Sequence, residues 1–298
     1  NVLDENKNVL ETIITNDEGE AITSKYPVRD FEKLTLQETE TLQNYKLNTT
    51  PQTVKLEANQ IKDIIFTNEK KKGQIKVIKV DLDNNEIKLK DVEFEVYDEK
   101  ENVVDKLKTD QNGEAVSKRL PIDQKYTVKE TKTGNTYVLN EEPQIVTLKE
   151  DQITDITFTN EKKKGQIKVI KVDLDNNEIK LENVEFKVYD EKGNVVDNLK
   201  TDKNGEAISK RLPIDQKYIV QESKTLETYV LNEEPQTVTL TQNQITDIQF
   251  ENEKIKGKIE ITKISADDNK LTGETKGTKL DGAIFEIYNE KDELVDTI

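Results

Sequence analysis

The chain has 298 residues, of which 33% are hydrophobic and 36% are charged, and its formal net charge is −16. It contains no cysteine and no histidine, which excludes disulfides, thiol nucleophiles, histidine-based acid–base catalysis and the usual zinc sites. The negative charge disfavours a nucleic acid as partner. With so few hydrophobic residues, the chain could be an unstructured acidic linker unless its apolar residues follow a regular pattern.

The sequence repeats itself with a period of 92 residues. GQIKVIKVDLDNNEIKL begins at Gly73 and again at Gly165, and RLPIDQKY begins at Arg119 and again at Arg211. We therefore predict four units: the back part of a repeat in 1–72, complete repeats in 73–164 and 165–256, and the front part of a further repeat in 257–298. A period this long indicates a row of small domains with short charged junctions, because solenoid repeats are much shorter.

Within a repeat the apolar residues alternate with polar ones, as they do in strands. In chain order the predicted strands of the repeat 73–164 are IKVIKV from Ile75, VEFEVYD from Val92, YTVKE from Tyr126, QIVTL from Gln144 and ITDITFTN from Ile153. Turn sequences separate them, including DLDNNE, DEKEN and the Asn112–Gly113 pair. The pattern predicts an all-β fold, with tandem antiparallel sandwiches of immunoglobulin-like or transthyretin-like shape.

Three polar residues continue inward-facing rows of these strands. They are Lys79 after Ile75 and Val77, Glu130 after Tyr126 and Val128, and Asn160 after Ile156 and Phe158. The second repeat has Lys171, Glu222 and Asn252, the first unit has Glu38 and Asn68, and the last unit has Lys263. Any one of them alone is better explained as an ordinary polar residue at a strand end. Because burying all three unpaired would cost several kcal/mol, the set predicts that they meet.

An amine, a carboxyl group and an amide that meet in a core form a reacting set. Burial favours the neutral forms of the amine and the carboxyl group, so the amine becomes a nucleophile and the carboxyl group can relay a proton. Attack on the asparagine carbonyl carbon with loss of ammonia would leave an isopeptide bond. We expect these bonds between Lys79 and Asn160 and between Lys171 and Asn252, promoted by a glutamate in each repeat, with no cofactor and no metal.

The same segments resemble the Cna B-type (SpaA-like) domains of Gram-positive surface adhesins and pilin stalks. The matching elements are IKVIKVD with Lys79, YTVKETK with Glu130, FTNEK with Asn160, and their counterparts 92 residues later. The resemblance implies a lysine–asparagine cross-link that a glutamate promotes, and a parent protein anchored to the cell wall. The chain departs from the family's frequent ETxAPxGY after the glutamate, reading ETKTGNTY and ESKTLETY instead.

These observations predict a structural stalk or spacer whose partners are its own neighbouring repeats, and not an enzyme acting on outside substrates. A ligand-binding adhesin module is the alternative, although aromatic residues make up only 5% of the chain and tryptophan is absent. A second open point is DLDNNE, in which Asp81, Asp83 and Asn85 fit either a calcium site or an ordinary turn.

The two incomplete units raise a further hypothesis. The unit 257–298 carries Lys263 without a glutamate or asparagine partner, and the unit 1–72 carries Glu38 and Asn68 without a lysine. Either the chain is a fragment with arbitrary boundaries, or the front part of one chain completes the back part of the next. The second possibility gives head-to-tail self-association with a covalent bond from Lys263 to Asn68.

Overall fold

The computed structural model describes residues 1–298, and its regular secondary structure consists of twenty-two strands. The predicted all-β class is therefore confirmed. The chain contains no helix that could cross a membrane.

The unit 1–72 forms a single antiparallel sheet. Its strands are β1 (Val2–Leu3), β2 (Val9–Glu11), β3 (Lys33–Leu36) and β4 (Gln52–Lys55), in the order β2-β1-β3-β4. The segment 61–68, which corresponds to the last strand of a complete repeat, forms no strand. Its partner in a complete repeat is the first strand, which this unit lacks.

The repeat 73–164 is a sandwich of two sheets. Its strands are β5 (Lys72–Asp81), β6 (Glu93–Tyr97), β7 (Val103–Lys108), β8 (Glu114–Val116), β9 (Leu120–Pro121), β10 (Lys125–Lys132), β11 (Gln144–Thr147) and β12 (Ile153–Asn160). One sheet has the order β11-β10-β6-β7, and the other has β12-β5-β8 with β9 paired to the start of β5. All the strands predicted for this repeat are present.

The first and last strands of the repeat run parallel to each other. β5 and β12 pair over eight residues, from Gln74 opposite Ile153 to Asp81 opposite Asn160. The predicted sandwich is present, but this pair departs from its expected antiparallel pairing. The physical reason is that the long chain between them crosses to the other sheet and returns, which allows a parallel neighbour that no hairpin could provide.

A compact apolar core lies between the two sheets. Ile75 and Val77 on β5 are fully buried, as the alternation predicts, because every second side chain of the strand faces the other sheet. Phe94 of β6 and Phe158 of β12 meet across the core with ring centroids 5.0 Å apart. Polar side chains that enter this core are therefore shielded from water.

The repeat 165–256 has the same architecture. Its strands are β13 (Lys164–Asp173), β14 (Glu185–Tyr189), β15 (Val195–Lys200), β16 (Glu206–Ile208), β17 (Leu212–Pro213), β18 (Lys217–Lys224), β19 (Gln236–Thr239) and β20 (Ile245–Asn252). β13 and β20 form the parallel pair, with Gln166 opposite Ile245 and Asp173 opposite Asn252. The two complete repeats therefore provide independent views of the same geometry.

The unit 257–298 has only the hairpin of β21 (Glu286–Tyr288) and β22 (Leu294–Thr297). Its segment 257–263, which matches the first strand of a complete repeat, forms no strand, and Ile259 is 69% exposed. The inward-facing row predicted here was therefore wrong. A strand of this pattern needs a neighbouring strand and an opposite sheet to bury its apolar face, and this unit supplies neither.

Short junctions contact the repeats on both sides. Lys162 Nζ lies 2.8 Å from the Asp215 carboxylate of the following repeat, and Lys70 Nζ lies 2.6 Å from the corresponding Asp123. The backbone of Lys163 donates to the preceding repeat and accepts from the following one, at 2.8 and 3.0 Å. The junctions therefore have little slack.

Candidate functional site

The three predicted side chains of the repeat 73–164 converge in the core. Lys79 lies on β5, Glu130 on β10 of the opposite sheet, and Asn160 at the end of β12. The parallel pairing of β5 with β12 brings the lysine and the asparagine to the same end of one sheet, and Glu130 faces them. Lys79, Glu130 and Asn160 are 0%, 5% and 2% exposed.

The contacts within the set connect all three functional groups. Lys79 Nζ contacts Asn160 Oδ1 and lies 2.6 Å from Glu130 Oε2. Asn160 Nδ2 donates a hydrogen bond of 2.6 Å to Glu130 Oε1. Although Nζ is close to Oε2, its direction does not meet hydrogen-bond geometry, so Oε2 is buried without a hydrogen-bond partner.

The repeat 165–256 has the same arrangement. Lys171 Nζ contacts Asn252 Oδ1 and lies 3.1 Å from Glu222 Oε2. Asn252 Nδ2 donates to Glu222 Oε1 at 2.6 Å, and Glu222 Oε2 again has no hydrogen-bond partner. The two complete repeats therefore share one arrangement of the three groups.

Burial lowers the pKa of both lysines. For Lys79, loss of solvation lowers the pKa below its usual value, and the attraction of the nearby Glu130 carboxylate opposes this effect only partly. For Lys171 the same desolvation lowers the pKa, against the attraction of the nearby Glu222 carboxylate. Each amine is therefore easier to deprotonate than an exposed lysine, which is the condition for nucleophilic attack.

Comparison with known proteins identifies the repeats. The SpaA prealbumin-like fold domain matches three stretches of the chain, residues 1–70, 73–162 and 165–254. The chain belongs to this family. No curated protein matches it.

Solved structures place the SpaA repeats among similar folds. The chain is 30% identical to the Bacillus anthracis TIE protein, with a TM-score of 0.61 over 85% of this chain, and it spans 47% of the length of that protein. The minor pilin GBS52 of Streptococcus agalactiae is 17% identical, with a TM-score of 0.32 over 64% of this chain and all of the pilin. BcpA, the major pilin subunit of Bacillus cereus, is 14% identical, with a TM-score of 0.28 over 62% of this chain and all of that chain.

One side chain at each site, a threonine, was missed by sequence reasoning. Thr133 Oγ1 accepts a hydrogen bond of 2.7 Å from Asn160 Nδ2, and Thr225 Oγ1 accepts one of 2.6 Å from Asn252 Nδ2. A usable signal was present, since each threonine follows its glutamate by three residues in the segment that departs from the family's usual sequence.

A tyrosine–aspartate pair closes the same end of each repeat. Tyr137 donates to Asp81 Oδ2 at 2.8 Å, and Tyr229 donates to Asp173 Oδ2 at 2.7 Å. This hydrogen bond is the main reason that the pKa of Asp173 falls to about 2, and burial raises the pKa of Tyr229 to about 12. The pair fastens the loop after the glutamate-bearing strand to the end of the lysine-bearing strand.

The DLDNNE segment adopts the geometry of a turn. Asp81 Oδ1 accepts the backbone N–H groups of Asp83 and Asn84 at 2.8 and 2.9 Å, and its other oxygen is occupied by Tyr137. Asp83 and Asn85 are exposed. The geometry therefore favours the turn over the calcium site.

The incomplete units bring together only part of the set. Glu38 and Asn68 meet in the unit 1–72, where Asn68 Nδ2 donates to both carboxylate oxygens at 3.0 and 2.8 Å, but both residues are only half-buried. Lys263 is exposed in a segment without regular structure. The structure therefore pairs Glu38 with Asn68 and leaves Lys263 apart from them.

Proposed function

We propose that the chain is a structural stalk or spacer on the outside of a Gram-positive cell, with each complete repeat locked by an autocatalytic isopeptide bond. The bonds join Lys79 to Asn160 and Lys171 to Asn252, and Glu130 and Glu222 promote them. The observation that carries the proposal is the convergence of a buried amine, amide and carboxyl group, with the same contacts, in both complete repeats.

The chemistry needs only these three groups. Neutral Nζ attacks Cγ of the asparagine, the Nζ–Cγ bond forms and the Cγ–Nδ2 bond breaks. The glutamate takes a proton from Nζ and passes one to Nδ2, so that the carboxyl group is regenerated and the nitrogen leaves as ammonia. Because the fold already holds the groups in contact, their effective concentration is high enough for the reaction to need no outside catalyst.

The position of the bond suits a chain under tension. Force enters a repeat along β5 and leaves along β12, and these strands are parallel neighbours, so pulling loads their hydrogen bonds in shear. Lys79 and Asn160 lie 81 residues apart in sequence. A bond between them carries the force directly from the first strand to the last and leaves the rest of the repeat outside the covalent path.

The spacer role also fits the junctions. Each complete repeat hydrogen-bonds to the junction before it and the junction after it, and an ion pair such as Lys162–Asp215 spans the boundary. A row of such repeats transmits force from one locked domain to the next with little slack. The membership of three stretches of the chain in one domain family supports a repetitive structural role.

Intact-mass measurement tests the proposal. The expected result is a mass lower than the sequence mass by two ammonia molecules, about 17 Da each, with no loss in a Glu130→Ala, Glu222→Ala variant. Tandem mass spectra of a digest should contain Lys79 and Asn160 in one branched peptide. Finding these two residues in separate, unmodified peptides would reduce the chain to an unlinked β spacer.

A further inference from the structure

In each complete repeat a threonine hydroxyl is hydrogen-bonded to the asparagine Nδ2, the nitrogen that the reaction expels. Asn160 Nδ2 carries two hydrogens, and both are bound: one by Glu130 Oε1 at 2.6 Å and one by Thr133 Oγ1 at 2.7 Å. In the second repeat Asn252 Nδ2 donates to Glu222 Oε1 and Thr225 Oγ1, both at 2.6 Å. The orientation of the amide is therefore fixed from two sides.

The unit 1–72 shows the glutamate–asparagine pair without a bound threonine. There Asn68 Nδ2 donates to both oxygens of Glu38 and to the carbonyl of Lys46, at 2.8 Å for the carbonyl, and Thr41 at the corresponding position does not receive it. In the complete repeat the threonine takes one N–H, and only one carboxyl oxygen is used by the amide. The other oxygen is free of hydrogen bonds and faces the lysine amine.

This division matters for the proton transfers. The glutamate must accept a proton from Nζ and deliver one to Nδ2, so its two oxygens have to serve two different nitrogens. An amide that bound both oxygens, as Asn68 does, would compete with the amine for the second oxygen. Holding one N–H on Thr133 leaves Oε1 for the amide and Oε2 for the amine.

The threonine also lies on the outward side of the site. The side chains of Lys79 and Glu130 are 0% exposed, whereas Thr133 is half-buried and lines a shallow surface depression with Gly134 and Tyr137. The nitrogen that leaves the asparagine is therefore already hydrogen-bonded to the group nearest to solvent. This position offers ammonia a way to solvent that does not pass the buried amine.

We propose that Thr133 and Thr225 are positioning residues for isopeptide formation, each holding the leaving amide nitrogen so that its glutamate can serve both nitrogens. This inference rests on the proposed function, because without the bond the threonine has nothing to position. It predicts an effect on the rate of bond formation, and not on whether the repeat folds.

The experiment compares the two repeats within one molecule. The full chain is produced by cell-free synthesis, samples are quenched in acid at successive times, and peptide mass spectra follow each cross-link separately. In Thr133→Val, which keeps the shape but removes the acceptor, the Lys79–Asn160 bond should form about three- to tenfold more slowly, the cost of one hydrogen bond in the transition state. The Lys171–Asn252 bond in the same molecule should keep its wild-type rate.

Two further variants separate positioning from packing. Thr133→Ser restores the hydroxyl and should return the rate to within about twofold of wild type. Thr41→Val makes the same change where no lysine is present and should alter neither rate. Thermal unfolding of Thr133→Val in a Lys79→Ala background, where no bond forms in that repeat, should remain cooperative, with a melting temperature lowered by no more than the loss of one hydrogen bond explains.

The outcomes keep the two proposals apart. If Thr133→Val forms its bond at the wild-type rate while both bonds form in the wild type, the threonine role is wrong and the proposed function stands. If Thr133→Ser is as slow as Thr133→Val, the hydroxyl is not responsible and the inference is also wrong. If the wild type never loses ammonia in either repeat, the proposed function itself fails.

Discussion

The repeat 73–164 and the unit 1–72 carry the same glutamate–asparagine pair in different surroundings. In the complete repeat Glu130 and Asn160 are 5% and 2% exposed, and Phe158 beside them is 1% exposed. In the unit 1–72 Glu38, Phe66 and Asn68 are all only half-buried. The first unit lacks the counterpart of residues 73–94, which contain most of the strand β5 and the start of β6.

The strand β5 therefore has two roles. It carries the lysine, and it also provides the neighbour that turns the last segment into the strand β12 and closes the core over the site. The unit 257–298 gives the converse case, because it has the lysine-bearing segment without the rest, and Lys263 is exposed there. A reactive site therefore forms only when the first and last strands are paired.

Supplying the missing strand to the first unit should have the largest effect. Residue 1 corresponds to position 95 of the complete repeat, so a copy of residues 73–94 placed before Asn1 completes the unit in register. We expect Glu38 and Asn68 to become buried and the chain to lose a third ammonia. Intact mass and a branched peptide containing Asn68 provide the measurement.

The matched control for this extension carries alanine in place of the copied Lys79. It should complete the sheet, protect the segment 61–68 from hydrogen exchange and still lose only two ammonia molecules. If the extension with lysine protected that segment but formed no third bond, pairing of the terminal strands would not be sufficient for the reaction.

Removing one lysine should have the next largest effect. Lys79→Ala leaves one ammonia loss instead of two and opens a loop of 81 residues, which by analogy with disulfide loops is worth about 4–5 kcal/mol of unfolding free energy. Proteolysis during heating, with the cleavage sites assigned to each repeat, should show that the repeat 73–164 unfolds at a clearly lower temperature than the repeat 165–256. Lys263→Ala, at an exposed position, should change neither mass loss nor stability by more than about 0.5 kcal/mol.

A pair of glycines gives a smaller and sharper test. Gly113 and Gly19 both have positive φ, 70° and 79°, so alanine is strained at either position by about 1–2 kcal/mol. A Cβ at Gly113 would lie 2.5 Å from the Lys79 carbonyl oxygen, whereas at Gly19 nothing lies within 4 Å. Gly113→Ala should therefore destabilise its repeat by about 1–3 kcal/mol more than Gly19→Ala, measured by hydrogen exchange in each unit. Equal destabilisation by the two substitutions would mean that the β5 backbone shifts locally to accommodate the added Cβ.

The sequence predicted those features of the fold and the site that follow from the alternation of apolar and polar residues. The strands and the convergence of Lys79, Glu130 and Asn160 were predictable, because alternation assigns each of them to an inward row and burying them unpaired would be costly. The parallel pairing of β5 with β12 was not, since alternation specifies a face and not a partner. Thr133 was missed because its contact depends on the path of a loop, and the exposed row around Lys263 was mispredicted because burial there requires strands that the unit lacks.

The smallest expected effect is a difference in the pH dependence of stability between linked and unlinked repeats. In the Glu130→Ala, Glu222→Ala variant Lys79 and Lys171 remain free amines, and burial holds the pKa of each below the 10.5 of an exposed lysine. Between the lowered pKa and 10.5 the unfolded chain binds more protons than the folded one, so stability rises with pH in this window. Each lysine contributes at most about 1.4 kcal/mol of unfolding free energy per pH unit.

In the linked wild type the same nitrogens are amides that do not titrate, so these two lysines add no slope. Urea unfolding between about pH 7 and pH 10 should therefore give a steeper rise for the variant than for the wild type. Adding Lys79→Ala and Lys171→Ala to the variant removes the titrating amines and should remove the extra slope. If the slope persisted without the lysines, other groups would cause it. If the wild type shared it, its amines would still be free, and the complete repeats would differ from the unit 1–72 in burial alone.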